Sequence, residues 1–270
     1  MAHRQSENPK PKDFLWLHLR DLPYFRAMLR AVEARFYQDV NLPGPILDLG
    51  CGDGHFASLT FDHPLDVGLD PWVGPIHEAR QYGIYKSLVQ ANGAGMPFPD
   101  RYFGSAVSNS VLEHIPNIDE VLKETGRVLK PGAIFVFCCP NHNFLPSLSI
   151  GRGLDRLGMH TLANRYRAFF NRIARHQHCD SPEVWQKRLE TAGFSLEQHW
   201  NYFLPEAIRV FEWGHYWGLP SLIWRKLVGR WNLVKARWNF WFIERRLRKY
   251  DTFEHNPHGT MTFFIARRVS

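Results

Sequence analysis

Short apolar runs alternate with amphipathic stretches from about residue 45 to residue 139 of this 270-residue chain. Apolar runs bounded by turn residues predict buried strands, and apolar positions three or four residues apart predict helices. Because strands that alternate with helices form right-handed crossovers, we expect an α/β fold with a parallel sheet covered on both faces. The predicted strands are 45–50, 65–70, 85–92, 103–110 and 133–139, and the predicted helices are 55–61, 75–83 and 118–129.

Both ends of the chain and two interior stretches depart from this alternation. The start is polar and contains prolines, which predicts a disordered tail up to about Asp13, followed by one or two helices to residue 40. Long interruptions inside a compact domain are usually functional lids. The later segments are an interruption at about 142–181, a helix at 181–194, a strand at 195–203, an interruption at 204–257 and a strand at 260–268.

Composition favours a reduced, cytoplasmic protein. The four cysteines form no CxxC pair, and two of them are adjacent within an apolar run, as is typical of a reducing compartment. The polar start is not typical of a signal peptide, and no apolar run approaches the roughly 20 residues that span a bilayer. We therefore expect a cytoplasmic location, with peripheral attachment at the inner membrane face as an alternative.

One turn carries the clearest chemical signal. The sequence ILDLGCGDGHF, residues 46–56, places Gly50, Gly52 and Gly54 at alternate positions directly after a predicted strand. A dinucleotide fingerprint would need a glycine where His55 stands, and the Lys-Ser/Thr pair of a P-loop is missing. The spacing of the glycines alone does not identify the nucleotide that the turn binds.

Two acidic residues narrow the choice of nucleotide. Asp48, two residues before the turn, would repel a pyrophosphate and attract a cationic amino group. Asp70 ends the second strand, where an acid commonly accepts hydrogen bonds from ribose hydroxyls, although an aspartate before Pro71 is also an ordinary turn residue. A ribose and a positive amino group without a phosphate describe S-adenosylmethionine.

Four stretches in order resemble the class I S-adenosylmethionine-dependent methyltransferases, especially the branch that includes quinone and small-molecule methyltransferases. They are ILDLGCGDGHF, the acid Asp70, ANGAGMPFPDRYFGSAVSNSVLEHI at 91–115, and VLKPGAIFVFCCPN at 128–141. The resemblance implies a Rossmann-like sheet of seven strands whose last strand is antiparallel, with helical insertions over the substrate side. The lone strand at the end of the chain agrees with that topology.

The resemblance also implies a division of the chain. Residues 1–40 would form a polar N-terminal tail and a capping helix, and residues 41–270 the methyltransferase domain. The two interruptions, 142–181 and 204–257, would be lids, because both follow strands that run toward the carboxyl edge of the sheet, where ligands bind in open α/β folds.

The same resemblance assigns residues to the S-adenosylmethionine site. Asn92 and Gly93 stand where the family often has Asp-Ala facing the adenine amino group, and the Asn92 amide oxygen can still accept a hydrogen bond from that group. The implied contacts are Asp48, Gly50 and Gly52 around the methionine moiety, Asp70 at the ribose, Trp72 beside the adenine, and Cys51, Pro71, Asn92, Gly93 and Asn109 elsewhere along the cofactor.

Methyl transfer needs a nucleophile held in line with the methyl group in a dry pocket, and an oxygen nucleophile often needs its proton removed. A histidine suits that task. The candidate catalytic residues are His114, just past the fourth strand, and His178, in the segment RHQHCD at 175–180; a helix-entry residue and a surface loop are the alternatives. Glu113 could orient His114 or bind magnesium, as in some relatives. The spacing in 175–180 matches no common zinc pattern, so we expect no metal.

The basicity of the chain is confined to residues 221–250, which contain nine Lys and Arg residues and one acid. Trp224, Trp231 and Trp238 recur every seven residues, which at helical spacing predicts one apolar stripe, with Lys226 on another side of the helix. The stripe could pack on the domain or on a second copy in a homodimer, or it could lie on an anionic membrane surface. Nucleic acid is the least expected partner, because no other segment is basic.

The sequence therefore predicts an S-adenosylmethionine-dependent methyltransferase that acts on a small, apolar or lipid-linked acceptor, with O-methylation favoured over C-methylation. One alternative is a sensor or partner subunit that binds S-adenosylmethionine without catalysis, because the binding motifs are common to both classes. A second alternative is an RNA-modifying methyltransferase. It is disfavoured because SNSV follows the fourth strand where nucleic-acid amino methyltransferases carry an Asn-Pro-Pro-aromatic motif.

Overall fold

The computed structural model describes residues 12–218, 223, 227, 229, 231–232, 234–252 and 254–269. Most of the predicted tail, residues 1–11, therefore lies outside the described residues. The same holds for Trp224 and Lys226 of the predicted stripe.

Seven strands form one sheet. They are β1 (Ile46–Leu49), β2 (Leu65–Asp70), β3 (Tyr85–Gln90), β4 (Phe103–Asn109), β5 (Leu129–Pro140), β6 (Phe194–Tyr202) and β7 (Met261–Arg268). Their order is β3-β2-β1-β4-β5-β7-β6, and β7 runs antiparallel to both of its neighbours while the pairs among β1–β5 are parallel. The predicted seven-stranded topology with an antiparallel last strand is confirmed.

Helices connect and cover these strands. They are α1 (Phe14–Leu19), α2 (Tyr24–Phe36), α3 (His55–Thr60), α4 (Val73–Ala79), α5 (Ile118–Val128), α6 (Ser149–Arg156), α7 (His160–Ala174), α8 (Pro182–Thr191), α9 (Pro205–Trp217) and α10 (Arg237–Leu247), with 3-10 turns at Tyr37–Asp39, Arg80–Tyr82, Leu112–His114 and Arg248–Tyr250. None of the helices within the described ranges is long and apolar enough to cross a membrane.

The predicted fifth strand begins earlier than expected. We predicted it to start at residue 133, after the turn KPG, but β5 starts at Leu129. Leu129 pairs with Phe103, and the register with β4 then shifts before Ile134 pairs with Ser105. The β-bulge adds residues to one strand, so the turn sequence is absorbed into the strand.

Side chains of successive strand residues point to opposite faces, so the sheet has a core on each side. In β5, Phe135 and Phe137 pack in one cluster with α5 and α8, whereas Val136 and Cys138 pack in another with α1 and α2. The predicted covering of both faces is confirmed. The predicted boundary of the methyltransferase domain at about residue 40 stays a prediction.

Both insertions leave the sheet from the same edge. Because β5 and β6 both pair antiparallel with β7, they run in the same direction and end at the carboxyl edge of the sheet. The first insertion contains α6 and α7 after β5, and the second contains α9 and α10 after β6. The two insertions are therefore helical and leave the sheet at the expected edge, whereas their role as lids stays a prediction.

The predicted helical stripe through the second insertion is wrong in its middle part. Trp231, Asn232 and residues 234–236 are not helical, and α10 begins only at Arg237. The Asn232 amide donates hydrogen bonds to the carbonyl oxygens of Leu19 and Arg20, at 3.1 and 3.2 Å. These contacts satisfy carbonyls at the end of α1, and they hold this stretch of chain against α1.

A buried carboxylate joins the N-terminal helices to the sheet. Glu33 of α2 is fully buried and accepts hydrogen bonds from the Arg30 guanidinium at 2.8 Å and from Asn109 Nδ2 at 2.7 Å. It also accepts hydrogen bonds from Ser110 Oγ at 3.0 Å and Tyr202 Oη at 3.1 Å. Burying a carboxylate is costly unless it is paired and hydrogen-bonded, and these four partners meet that need.

We predict that Glu33→Ala lowers the free energy of unfolding by about 3–5 kcal/mol, because Arg30 would be left as a buried charge without its carboxylate. Urea unfolding followed by circular dichroism measures the loss. The matched control is Glu120→Ala on the exposed face of α5, which should change stability by less than about 0.5 kcal/mol. A Glu33 variant as stable as this control would contradict the account of the buried pair.

Candidate active site

The glycine-rich turn between β1 and α3 has a backbone that only glycine adopts easily. Gly50, Gly52 and Gly54 have φ angles of 78°, 55° and 73°. A β-carbon on Gly50 would lie 2.4 Å from a methyl carbon of Val111. The turn therefore packs tightly against the loop that follows β4, and the amide of Gly50 is held by the Leu69 carbonyl at 2.8 Å.

The two acids that the sequence singled out lie beside this turn. Asp48 is buried and accepts a hydrogen bond from the Tyr85 hydroxyl at 2.6 Å. Burial raises the pKa of Asp48 to about 7, although the Tyr85 hydrogen bond opposes the shift. Asp70 accepts the backbone N–H groups of Trp72 at 2.9 Å and Gly52 at 3.0 Å. Burial raises the pKa of Asp70 as well, so both carboxylates lack water around them.

The structure brings most of the other predicted cofactor residues to the same edge. Trp72 is 71% exposed directly before α4, and Cys51 is half-buried within the turn, where burial raises the pKa of its thiol. The loop after β3 is tied to β2 by a hydrogen bond from the Ala91 amide to the Asp70 carbonyl. In that loop the Asn92 amide oxygen accepts the N–H of Ala94 at 2.9 Å.

Pro71 and Gly93 flank this region, and Asn109 lies apart from it. Pro71 is exposed beside Trp72, and Gly93 is buried, where a β-carbon would lie 3.1 and 3.2 Å from methyl carbons of Val121 and Leu49. Asn109 directs its side chain into the protein, donating to Glu33 at 2.7 Å and accepting from the Cys138 thiol at 3.0 Å. The predicted cofactor contact of Asn109 stays a prediction, but the structure gives its side chain a different partner.

A cavity of about 180 Å³ lies next to the loop that follows β4. Its walls come from α2, from that loop, from both insertions and from the start of β7. The apolar lining residues are Phe25, Leu29, Phe144, Ala174, Phe211 and Met261, and the polar ones are Arg26, Arg30, Ser110, Glu113, His114, His176 and His215. The cavity therefore combines an apolar wall with a basic and imidazole-rich wall.

His114 lines this cavity, and its catalytic role stays a prediction. Its Nδ1 lies 3.0 Å from the Arg175 carbonyl oxygen. Because a carbonyl can only accept, Nδ1 carries the proton and Nε2 holds a lone pair. Burial lowers the pKa of His114, which favours the neutral ring, and burial raises the pKa of the neighbouring Glu113 to about 8.

His178 does not line the cavity, and the structure does not bring it together with His114. Its Nε2 lies 3.0 Å from the Ile115 carbonyl, and its Nδ1 is near Asp180 and Arg188. His176 lines the cavity instead, with its ring 5.4 Å from that of His114. Burial, together with the nearby His114, lowers the pKa of His176 to about 3.

The sequence reasoning missed the contribution of α2. Arg26, Arg30 and Glu33 are polar positions spaced by four and three residues in a helix whose other residues are mostly buried. Such spacing places them on one helical face. A polar face on an otherwise apolar helix was the signal that could have revealed this wall of the cavity.

Three cavity residues could hold a metal ion. Glu113, His114 and His176 each offer one ligand atom, and these atoms lie within 4.8 Å of one another. The sequence did not indicate that these residues lie together, because two belong to the turn after β4 and the third follows α7.

Comparisons with known proteins show the family of this chain. Residues 18–199 match a family model described as a methyltransferase domain. A probable S-adenosylmethionine-dependent methyltransferase of Mycolicibacterium smegmatis is 29% identical over 153 residues, which are 56% of this chain and 52% of that protein. A fatty-acid O-methyltransferase of the same organism is 37% identical over 98 residues, 34% of this chain and 35% of that protein. The chain thus spans about half or less of the length of these relatives.

The fold has counterparts among solved structures. A methyltransferase of Thermotoga maritima, described as a possible histamine N-methyltransferase, superposes with a TM-score of 0.52 at 16% identity, covering 90% of each chain. At this identity the likeness concerns the fold alone. The family model, however, covers more than half of the sequence. The chain therefore belongs to the methyltransferase-domain family.

Proposed function

We propose that this protein transfers the methyl group of S-adenosylmethionine to an oxygen atom of a small, apolar or lipid-linked acceptor. The main support for this proposal is the contact between the glycine-rich turn and the loop that follows β4, which lines the cavity. Gly50 packs against Val111, and the residues on either side of Val111 include Ser110, Glu113 and His114 of the cavity. The donor turn and the acceptor cavity therefore share a wall.

The residues at the carboxyl edge of the sheet fit S-adenosylmethionine. Asp48 is a buried carboxylate with a single hydroxyl partner among the described residues, so a cationic amino group would stabilise its charged form. Asp70 ends β2 beside the exposed indole of Trp72, which suits a ribose and an adjacent aromatic base. When bound, S-adenosylmethionine supplies an electrophilic methyl group on a positively charged sulfur.

The cavity favours an acceptor with an acidic end and an apolar body. Its phenylalanine, leucine and methionine walls suit hydrocarbon. The guanidinium group of Arg26 would attract an oxygen anion such as a carboxylate or a phenolate, whereas the charge of Arg30 is largely balanced by Glu33 at 2.8 Å. A volume of about 180 Å³ accommodates the reactive end of a lipid rather than a whole chain. The name of the fatty-acid O-methyltransferase relative supports the same choice.

A buried carboxylate joins the two insertions, which both contribute to the walls of the cavity. Glu212 of α9 is fully buried and accepts hydrogen bonds from Ser149 N and Ser149 Oγ at the start of α6, both at 2.6 Å. It also accepts one from Tyr166 of α7 at 2.5 Å. The second insertion thereby holds the first insertion in place, and an ordered cavity lets the chain position the acceptor for transfer.

His114 is the candidate general base that would receive the proton of the acceptor. The lone pair on its Nε2 is available, because the Arg175 carbonyl holds the proton on Nδ1. An acceptor that enters as a hydroxyl could give its proton to this nitrogen as the new bond forms. His178 has no access to the cavity lining, so we place this role on His114 alone.

We predict that Asp48→Ala weakens S-adenosylmethionine binding by about 2–5 kcal/mol, because the cationic amino group would lose its buried partner. Isothermal calorimetry measures the loss. For the wild type, with an Asp48 pKa of about 7, protonation competes with the ligand, so affinity should fall up to about tenfold for each pH unit below 7. Asp48→Asn should bind weakly at every pH. Wild-type affinity in either variant would contradict the assignment.

We further predict that the full chain transfers labelled methyl from S-adenosylmethionine to long-chain fatty acids. Replacing His114 with alanine should lower turnover of a phenolic acceptor, whose proton must be removed, by about 100-fold or more, and should change turnover of the already ionised fatty acid only a few-fold. The matched control is His160→Ala, an exposed histidine on α7 that pairs with Asp155. S-adenosylmethionine binding without transfer to fatty acids or to a lipid extract would favour the non-catalytic sensor instead.

The outer face of α10 supports a contact with an anionic membrane surface. Trp238, Trp241 and Phe242 are 76%, 61% and 62% exposed. Arg245 and Arg246 lie over the rings of Trp241 and Phe242, at 5.7 and 5.4 Å, and neither forms an ion pair with an acid that the structure describes. Aromatic rings beside cations suit the lipid headgroup region, where each cation contributes about 1 kcal/mol.

Ion pairs on the inner face of α10 leave only part of the basic segment, residues 221–250, available to an anionic partner outside the protein. Arg237 and Arg248 pair with Asp13 at 2.9 and 2.6 Å, and both also pair with Glu244. Lys235 pairs with Asp21 of the α1–α2 connection. These ion pairs hold the segment against α1 and reduce the positive surface that a nucleic acid would need.

We predict that the protein sediments with anionic phospholipid vesicles and not with neutral ones. Trp238→Ala combined with Trp241→Ala should abolish this binding, because both exposed indoles are lost. Tyr102→Ala, at an aromatic side chain that is 44% exposed elsewhere, should leave it unchanged. A protein that stays in the supernatant with both vesicles contradicts the membrane contact. A dimer in analytical ultracentrifugation that the double variant dissociates would assign this face to a second copy.

A further inference from the structure

We propose that Glu113, His114 and His176 form a binding site for a divalent transition-metal ion of the Zn²⁺ class in the wall of the acceptor cavity. All three residues line the cavity, and their ligand atoms lie within 4.8 Å of one another. They come from two segments, the turn after β4 and the loop after α7. One carboxylate and two imidazoles converge here from different parts of the chain.

Both imidazoles are oriented by their other nitrogen. His114 Nδ1 lies 3.0 Å from the Arg175 carbonyl oxygen, and His176 Nδ1 lies 3.6 Å from the Cys179 thiol. In each ring this leaves Nε2 for a further partner. Metal-binding histidines commonly hold the ring in this way, with the second nitrogen hydrogen-bonded to the protein.

Glu113 supplies an independent sign of a missing partner. Its side chain is 2% exposed, and its Oε2 has no hydrogen-bond partner among the described residues. An unsatisfied buried carboxylate oxygen costs free energy. Its other oxygen, Oε1, lies 3.7 Å from His114 Nε2, so a cation bound between them would contact groups that now face each other without a hydrogen bond.

The two segments are fixed to each other by the backbone. The amides of Gln177 and His178 donate to the Glu113 carbonyl at 2.7 and 3.1 Å. Arg175 ends α7 with a φ angle of 59°, and the His176 ring then packs edge-on against Phe144 with the centroids 5.1 Å apart. The position of the third ligand is thus set by the fold.

The donor set selects the kind of metal. Two imidazoles and one carboxylate suit Zn²⁺, Fe²⁺, Mn²⁺ or Co²⁺, whereas Mg²⁺ and Ca²⁺ prefer oxygen ligands. Three protein ligands leave an open position, as in catalytic zinc sites. With bonds of about 2.1 Å, the ligand atoms would have to approach one another by roughly 1 Å. The nearby positive charge of Arg30 is compensated by Glu33 at 2.8 Å.

A metal here would change the role of His114. The Nε2 lone pair would bind the ion, and the positive charge of the ion would stabilise an acceptor oxygen anion in place of a proton transfer. This catalytic role rests on the function proposed above, whereas the metal binding itself does not.

The test is a titration of the metal-free full-length protein with Zn²⁺ by calorimetry and with Co²⁺ by visible absorption, which reports a tetrahedral nitrogen-containing site. We expect one strong site per chain. His176→Gln and Glu113→Gln should each weaken it by about 100-fold or more, since loss of a direct ligand exceeds the effect of losing a supporting contact. The control is His142→Gln, whose imidazole is exposed and outside the cavity lining.

A wild-type protein without a strong site, or a His176→Gln variant that binds Zn²⁺ like the wild type, would overturn the proposal. Circular dichroism of each variant checks folding, and two ligand variants keep the test informative if one of them does not fold. S-adenosylmethionine binding is measured on the same wild-type samples. Failure of that binding would contradict the proposed function, and failure of Zn²⁺ binding alone would contradict only the metal site.

Discussion

The burial of Glu33 is the constraint on which the acceptor side of this molecule depends. A carboxylate without water must find partners, and Glu33 finds them on α2, at the end of β4 and on β6. One of those partners, Ser110, has a φ angle of 51°, an unusual conformation for a residue with a side chain. The hydrogen bond to Glu33 helps to hold that conformation, and the turn that follows then carries Glu113 and His114 into the cavity.

The same principle organises the two insertions. Glu212 is a second buried carboxylate, and its partners on α6 and α7 make the first insertion depend on the second. The basic segment is likewise held by acids, since Asp13 and Asp21 beside α1 pair with Arg237, Arg248 and Lys235. The substrate side is thus built from ion pairs and buried hydrogen bonds added to a hydrophobic sheet core, and these contacts leave the aromatic outer face of α10 exposed.

The fold and the placement of Asp48 and Asp70 beside the glycine-rich turn could be predicted from the sequence, but much of the cavity could not. The order of strands and helices follows from local periodicity, and Asp48 and Asp70 meet because parallel strands end at a common edge. Which of His176 and His178 lines the cavity depends on where α7 ends. The path of residues 231–236 depends on a contact between Asn232 and α1, more than 200 residues away in the chain. Contacts between residues so far apart in the chain leave no periodic pattern in the sequence.

If the glycine-rich turn and the cavity serve one reaction, S-adenosylhomocysteine must bridge them, and a crystal structure with this ligand bound is the direct test. We expect that the ligand's amino group contacts Asp48, its ribose hydroxyls contact Asp70, and its sulfur opens onto the cavity at His114. A ligand bound with its amino group away from Asp48, or with its sulfur separated from the cavity by a closed wall of protein, would contradict it.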